Sequence, residues 1–295
     1  MISGGTMDTD YFQHKEIFFA SLIYSKKRLH YLENEFIVRD DDVFLVSYPK
    51  SGTTWMMEIL SLIHTSGDFT WCREVPNFIR IPWLDVSGTG EKLVDECESP
   101  RFLASHLPIQ CFPKSLFSSK AKIIYTARSP KDVLVSLYHF AYMSYVVKKP
   151  NSFDEFMEDF LQGRVPFGSW FDHIKGWMQM KDNKNFLLVT YEDLIEDHRG
   201  TIKKICTFLE KELEEQVIDL VVKNSSFNSM KNNNMSNNSL VPDYIIDTKN
   251  NHFMRKGITG DWKNHFTQKQ MEHMNVIYRE KMKDLDVKFS WDECL

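Results

Sequence analysis

The sequence predicts an α/β protein, a single domain with a central, mainly parallel sheet flanked by helices. Three observations carry that reading: four short apolar runs recur along the 295 residues, turns after three of them lead into helical spacing, and no internal repeat or Pro/Gly/Ser-rich linker divides the chain.

The first run, Val43-Phe44-Leu45-Val46, reads as a buried strand, and the apolar spacing of Met57, Leu60 and Ile63 predicts the helix after it. Phe102-Leu103-Ala104 is the second strand. Ile123-Ile124-Tyr125 is the third, followed by a helix whose apolar face carries Val133, Leu134 and Leu137. Phe186-Leu187-Leu188-Val189 is the fourth. The biased stretch from Asn224 to Asn238, rich in Asn and Ser without apolar periodicity, reads as a long surface loop, or as one that orders around a ligand. In sheets of this kind ligands sit beyond the carboxyl ends of the strands, so the chemistry is expected there.

Composition narrows the function. Lys and Arg number 36 against 41 Asp and Glu, a net charge of −5, so no overall positive field exists to hold a nucleic acid. Any bound anion needs a local cluster of donors. The five cysteines form no closely spaced pair, which reads as free thiols in a reducing compartment. Met1 to Asp10 lacks the basic and apolar regions of a signal peptide, and no run is long and apolar enough to span a bilayer. A cytoplasmic protein without a membrane partner is expected, and the acceptor patterns at Asn224, Asn234 and Asn237 are then incidental.

The first strand leads into Ser47-Tyr48-Pro49-Lys50-Ser51-Gly52-Thr53-Thr54-Trp55, a short glycine-containing turn at a helix start. Backbone N–H groups, hydroxyls and the Lys50 ammonium there make an anion site; a plain turn with a solvated lysine is the alternative. Lys50 precedes the glycine, so the spacing is not that of the Walker loop, which disfavours a nucleotide kinase. After the third strand, Arg128-Ser129-Pro130-Lys131-Asp132 predicts a helix N-cap at Ser129 with Asp132 completing a capping box. Arg128 then stands at the strand end, with Ser136 on the same helix face, suited to a second phosphate. Tyr191 after the fourth strand either stacks on a base or plugs the core. Arg255 and Lys256, between Phe253-Met254 and Gly257, are a candidate clamp on that second phosphate, or simply solvated. His106 ends the second strand with no partner at metal-ligand spacing. A lone histidine is more often structural, but facing an acceptor hydroxyl its ordinary pKa near 6.5 would suit a general base.

With these segments in place, Tyr48 to Trp55, Ser105-His106-Leu107-Pro108, Arg128 to Val133 and Arg255 to Lys263, the chain resembles the cytosolic sulfotransferases, most closely the hydroxysteroid subfamily. Gly168-Ser169-Trp170-Phe171-Asp172-His173 and Trp177 also match, and the likeness runs from about Glu35 to Trp291. It implies a domain over residues 35–295 behind a partly flexible N-terminal segment, 1–34, and the donor 3'-phosphoadenosine 5'-phosphosulfate (PAPS), leaving adenosine 3',5'-bisphosphate (PAP), with no metal. Lys50, Ser51, Gly52, Thr53 and Thr54 would form a P-loop-like phosphosulfate-binding loop, with Trp55 on the adenine. Arg128, Ser136, Arg255, Lys256 and Gly257 would hold the 3'-phosphate, with Phe253 and Met254 beside them; Tyr191, Ser225, Phe227 and Met230 would line the nucleoside. His106 would be the base, Lys50 would stabilise the leaving oxygen and Ser136 would direct Lys50. Phe78, Ile79, Pro82, Trp83, Phe140, Tyr142 and Tyr244 would join His106 around a small hydrophobic acceptor, a hydroxysteroid or similar alcohol; phenol or amine transfer, and a binding-only relative, are the alternatives. A homodimer through Lys263 to Glu272 is implied, weakened by Gln268 where the family pattern has valine.

Overall fold

A computed structural model describes residues 10–294 of the chain. Its main sheet has four strands: β3 (Val43–Ser47), β4 (Phe102–Ser105), β5 (Lys122–Ala127) and β6 (Phe186–Thr190), after a small hairpin of β1 (Tyr11–His14) and β2 (Ile17–Ala20). The main strands are all parallel, in the order β4-β3-β5-β6. The apolar runs thus fall on strands as expected. All five residues of β3 are buried, because helices cover both faces of a parallel sheet.

β3 lies between β4 and β5, so the chain leaves it first to one side and then to the other. That reversal opens a crevice at the carboxyl edge, the usual ligand position in such sheets. On one face the core contains Tyr48, Phe112, Tyr125, Trp170 and Trp177; on the other, Met56, Leu60, Ile124, Val189 and Ile205.

Residues 10–34 join the first of these cores. Phe19, Leu29 and Leu32 are fully buried there, and helix Lys26–Asn34 is capped by Ser25 accepting from the Arg28 N–H.

Two expectations change. The Asn-rich stretch is not a long surface loop: helix Phe227–Lys231 occupies part of it, and Ser225, Met230 and Ser236 are buried. Its polar side chains replace regular backbone pairing, Asn233 accepting from Met235 N–H and Ser226 capping the short helix. The capping box after β5 is also absent. Ser129 makes no cap bond, and Asp132 instead accepts from the N–H groups of Gly260 (2.7 Å) and Trp262 (3.1 Å), fixing a distant loop on the helix start. A carboxylate beside four free helix N–H groups is a sound local expectation, but here a remote backbone competes for it successfully.

A fully buried ion pair, Arg80 to Glu58 at 2.5 Å, ties helix Asn77–Arg80 to helix Thr53–His64. Removing one partner of such a pair typically costs about 3–5 kcal/mol, since the other charge is left unpaired.

Candidate active site

A cleft of about 920 Å³ opens over the carboxyl edge of the sheet, and each main strand delivers one group to it: Lys50 beyond β3, His106 beyond β4, Arg128 beyond β5 and Tyr191 beyond β6. The turn after β3 is strained to achieve this. Lys50 has φ 70° and Gly52 φ 101°, both left-handed, and a Cβ on Gly52 would stand 2.8 Å from the Tyr191 ring. Gly52 also caps helix Thr53–His64, leaving N–H groups at the cleft. The Ser51 hydroxyl is buried without a partner, as is Nε of Arg128. Orphaned donors beside a helix start indicate that a ligand completes the site.

Three cations converge here. The Lys50 ammonium lies between the faces of Phe140 (4.2 Å) and Phe253 (4.0 Å). Burial, followed by the charges of Arg128 and Arg255, pushes its pKa down to about 7. An anion would reverse that repulsion. Arg128 stacks 4.2 Å over Tyr191 and donates to the carbonyls of Lys50 and Ile258, tying the turn after β3 to the C-terminal loop. Arg255 and Lys256 line the same end of the cleft. Gly257 is required next to them, because a Cβ would fall 2.2 Å from Phe227.

The other nucleoside candidates divide. Trp55, Tyr191, Phe227 and Met230 line the cleft; Trp55 stands edge-on to Tyr191 (5.3 Å) and donates its indole N–H to the Ser225 carbonyl at 2.7 Å. Ser225 itself does not line it. Its hydroxyl is turned inward, donating to Val221 O at 2.6 Å, while its neighbour Ser226 reaches the cleft. Thr53, Thr54, Ser136 and Met254 are lining residues as well.

On the acceptor side, His106 contacts Trp83 (4.6 Å between ring centres) and Phe167 (5.3 Å). Its Nδ1–H donates to the Ser47 carbonyl at 2.7 Å, leaving Nε2 as an acceptor. The pKa is not the ordinary value expected from the sequence. Burial pushes it down to about 4, the Ser47 bond opposes this, and the Lys50 charge reinforces it. Phe78, Ile79, Phe140 and Tyr244 also face the cleft. Pro82 and Tyr142 do not. Pro82 is buried, its carbonyl accepting from Ala104 N–H so that Trp83 is held beside β4. Tyr142 falls two positions beyond Phe140 at a helix end, which turns it to the other side, and its hydroxyl meets Tyr138 and Pro150.

Several contributors were not singled out from sequence. Tyr24 and Phe167 line the acceptor half, brought by the N-terminal segment and a loop. His173 donates from Nε2 to the His106 carbonyl (3.1 Å) and accepts at Nδ1 from the Tyr125 hydroxyl (2.8 Å), holding the end of β4 from behind. Asn238 links the two halves of the cleft, accepting from Asn77 (3.0 Å) and donating to Thr54 (3.3 Å). The sequence signals for these were the place of His173 in the Gly168-to-His173 segment and of Asn238 at the end of the Asn-rich stretch.

The parallel sheet, the turn after β3 and the converging cations define a sulfotransferase: the family described as "Sulfotransferase domain" matches residues 40–286, and the chain belongs to it. Its relatives include human "Sulfotransferase 2A1", 50% identical over 97% of this chain and 100% of that one. The guinea pig (Cavia porcellus) "3-alpha-hydroxysteroid sulfotransferase" is 48% identical over 94% of this chain and 96% of its own length. Among solved structures, retinol dehydratase in complex with androsterone and the inactive cofactor PAP superposes with a TM-score of 0.86 at 26% identity, covering 96% of this chain and 92% of that one. Among the described residues no three or more metal-ligating side chains converge, and no helix is long and apolar enough to cross a membrane.

Proposed function

We propose that the protein transfers a sulfuryl group from PAPS to the hydroxyl of a hydroxysteroid or similar hydrophobic alcohol. The observation that carries this is the convergence, along one sheet edge, of a phosphate-type turn, three mutually repelling cations and a neutral imidazole that opens onto an apolar wall. The hydroxysteroid sulfotransferase names among its relatives support the same reading.

The bound donor supplies the sulfuryl group and the bisphosphate that leaves with the electrons of the cleaved S–O bond. The chain supplies position and charge. Ser51 to Thr54 offer amides and hydroxyls to the 5' end, and Arg128, Ser136, Arg255, Lys256 and Gly257 hold the 3'-phosphate. Lys50 neutralises charge on the leaving oxygen, with Ser136 directing it. His106 takes the acceptor proton at Nε2 as the acceptor oxygen bonds to sulfur. Phe78, Ile79, Trp83, Phe140 and Tyr244 enclose the acceptor's apolar body.

We place the protein in the cytoplasm as a weakened homodimer through Lys263 to Glu272. Gln268 donates to Glu272 at 2.9 Å within its own helix, occupying a group that the interface would use. The deciding experiment assays steroid, phenol and amine acceptors with labelled donor. A 3-hydroxysteroid should give the highest kcat/KM; phenols or amines ahead by about tenfold would overturn the acceptor class, and no transfer to any acceptor would leave a binding-only protein.

A further inference from the structure

Resting on the donor assignment above, we propose that Asp261 is the positioning residue that aims Arg255 and Lys256 at the 3'-phosphate and thereby sets the preference for nucleotides that carry one. Its side chain is 1% exposed, yet both cations converge on it: Arg255 Nη1 lies 2.6 Å from Oδ2 and Lys256 Nζ 2.6 Å from Oδ1. Asn264 donates to Oδ1 at 3.0 Å, and His265 stands 3.4 Å from Oδ2.

Two readings of this cluster predict opposite effects. If Asp261 occupied the phosphate position, it would compete with the nucleotide. If it lay behind the cations, it would orient them. The placement decides for the second, because Arg255 and Lys256 line the cleft whereas Asp261 does not. The cations therefore stand between the carboxylate and the site. They are long side chains, 29% and 43% exposed, that would otherwise spread over many rotamers.

The carboxylate is itself held. Asp132, four residues after Arg128, accepts from the N–H groups on either side of Asp261, those of Gly260 and Trp262. Lys131 packs 4.4 Å over the Trp262 ring, and Arg128 donates to Ile258 O. One helix start thus fixes both halves of the cation set. The charge balance agrees with this. Burial alone would raise the Asp261 pKa, but its bonds to Lys256, Asn264 and Arg255 outweigh burial and hold it far below the ordinary carboxylate range, so it stays ionised under the cations.

The test measures dissociation constants of adenosine 3',5'-bisphosphate and adenosine 5'-monophosphate for the wild type, Asp261→Asn and Asp261→Glu, with melting temperatures as a check on folding. Asp261→Asn should weaken the bisphosphate by about tenfold or more and leave the monophosphate within about twofold. Unchanged or tighter bisphosphate binding overturns the proposal, as does an equal loss for both nucleotides, which is what a merely structural role predicts. Should the asparagine variant fail to fold, Asp261→Glu keeps the charge but moves the carboxylate by one methylene; a bisphosphate-to-monophosphate preference below wild type supports the proposal, and an unchanged preference overturns it. A wild type without that preference overturns the donor assignment and this role together, whereas a preference retained in the variants overturns only the role of Asp261.

Discussion

The imidazole Nδ1–H of His106 donates to the carbonyl oxygen of Ser47 at 2.7 Å, joining the end of β4 to the end of its neighbour β3. The bond selects the tautomer with a free lone pair on Nε2, and it holds the ring on the strand that also delivers Lys50. With its pKa down at about 4, His106 is neutral throughout the cellular range.

The pH dependence follows from that. Because the pKa is depressed, the base is lost only as pH falls toward 4, so kcat/KM should show no histidine inflection near 6.5. His106→Ala should lower single-turnover rates on alcohols by roughly 10²- to 10⁴-fold and leave PAP binding within about twofold. An acceptor already ionised, such as a nitrated phenol, should recover part of the loss; equal losses on both acceptors would show a structural histidine.

Lys50 should couple binding to proton uptake. Its pKa in the free protein is about 7, and an anion beside it raises that value, so above neutrality PAP binding takes up close to one proton and weakens as pH rises. Calorimetry at about pH 8 in buffers of different ionisation enthalpy reads the uptake directly. Lys50→Met should abolish it. The same depressed pKa means that the folded state resists the charge: the unfolded chain binds the extra proton between about 7 and the ordinary lysine range, so stability rises with pH across that window. Lys50→Met should therefore raise the melting temperature of the free protein more at low pH than at high pH.

PAP should raise the melting temperature in the presence of a chelator. At one hundred times its dissociation constant the stabilisation is about 2.7 kcal/mol. Arg128→Ala should weaken PAP by about 1.5–3 kcal/mol, and, because Arg128 also donates to Lys50 O and Ile258 O, it should lower the stability of the free protein as well. No thermal shift at millimolar PAP would remove the donor assignment.

The helix start after β5 separates two carboxyl-and-hydroxyl roles. Ser129→Ala should change stability by less than Asp132→Ala does, since the Ser129 side chain makes no cap bond. Asp132→Ala should cost about 1–3 kcal/mol by stranding the Gly260 and Trp262 N–H groups. Denaturant melts of the two variants, side by side, give the comparison.

Tyr125→Phe removes the hydroxyl that fixes the His173 ring behind His106. kcat on steroids should fall by about tenfold, with the KM for the donor unchanged, because the histidine supports the base and not the nucleotide. Equal changes in both constants would point to a general loosening instead.

What could be read in advance follows interaction range. The strands were legible because full burial on both faces of a parallel sheet writes itself as short runs of β-branched and large apolar residues, as in Val43 to Val46. Lys50 and Arg128 were legible for the same reason, since each stands one turn beyond such a run. The capping box at Ser129 was not, because a local pattern cannot reveal that Gly260 and Trp262 will arrive to take Asp132. Nor could the pKa of His106 be anticipated, as it depends on burial beneath Trp83 and Phe167. Asp261, five residues beyond Lys256, carried no signal of its own, and only the packed loop shows it buried beneath Arg255 and Lys256.

The tryptophans of the cleft have an optical consequence. Of the seven in the chain, Trp55 and Trp83 alone face the cleft, one beside Tyr191 and one beside His106, while Trp170, Trp177, Trp262 and Trp291 are packed in the interior. The protein thus carries an intrinsic emission signal at each end of its reaction path, and single phenylalanine replacements at positions 55 and 83 would turn fluorescence quenching into a separate clock for the arrival of each substrate.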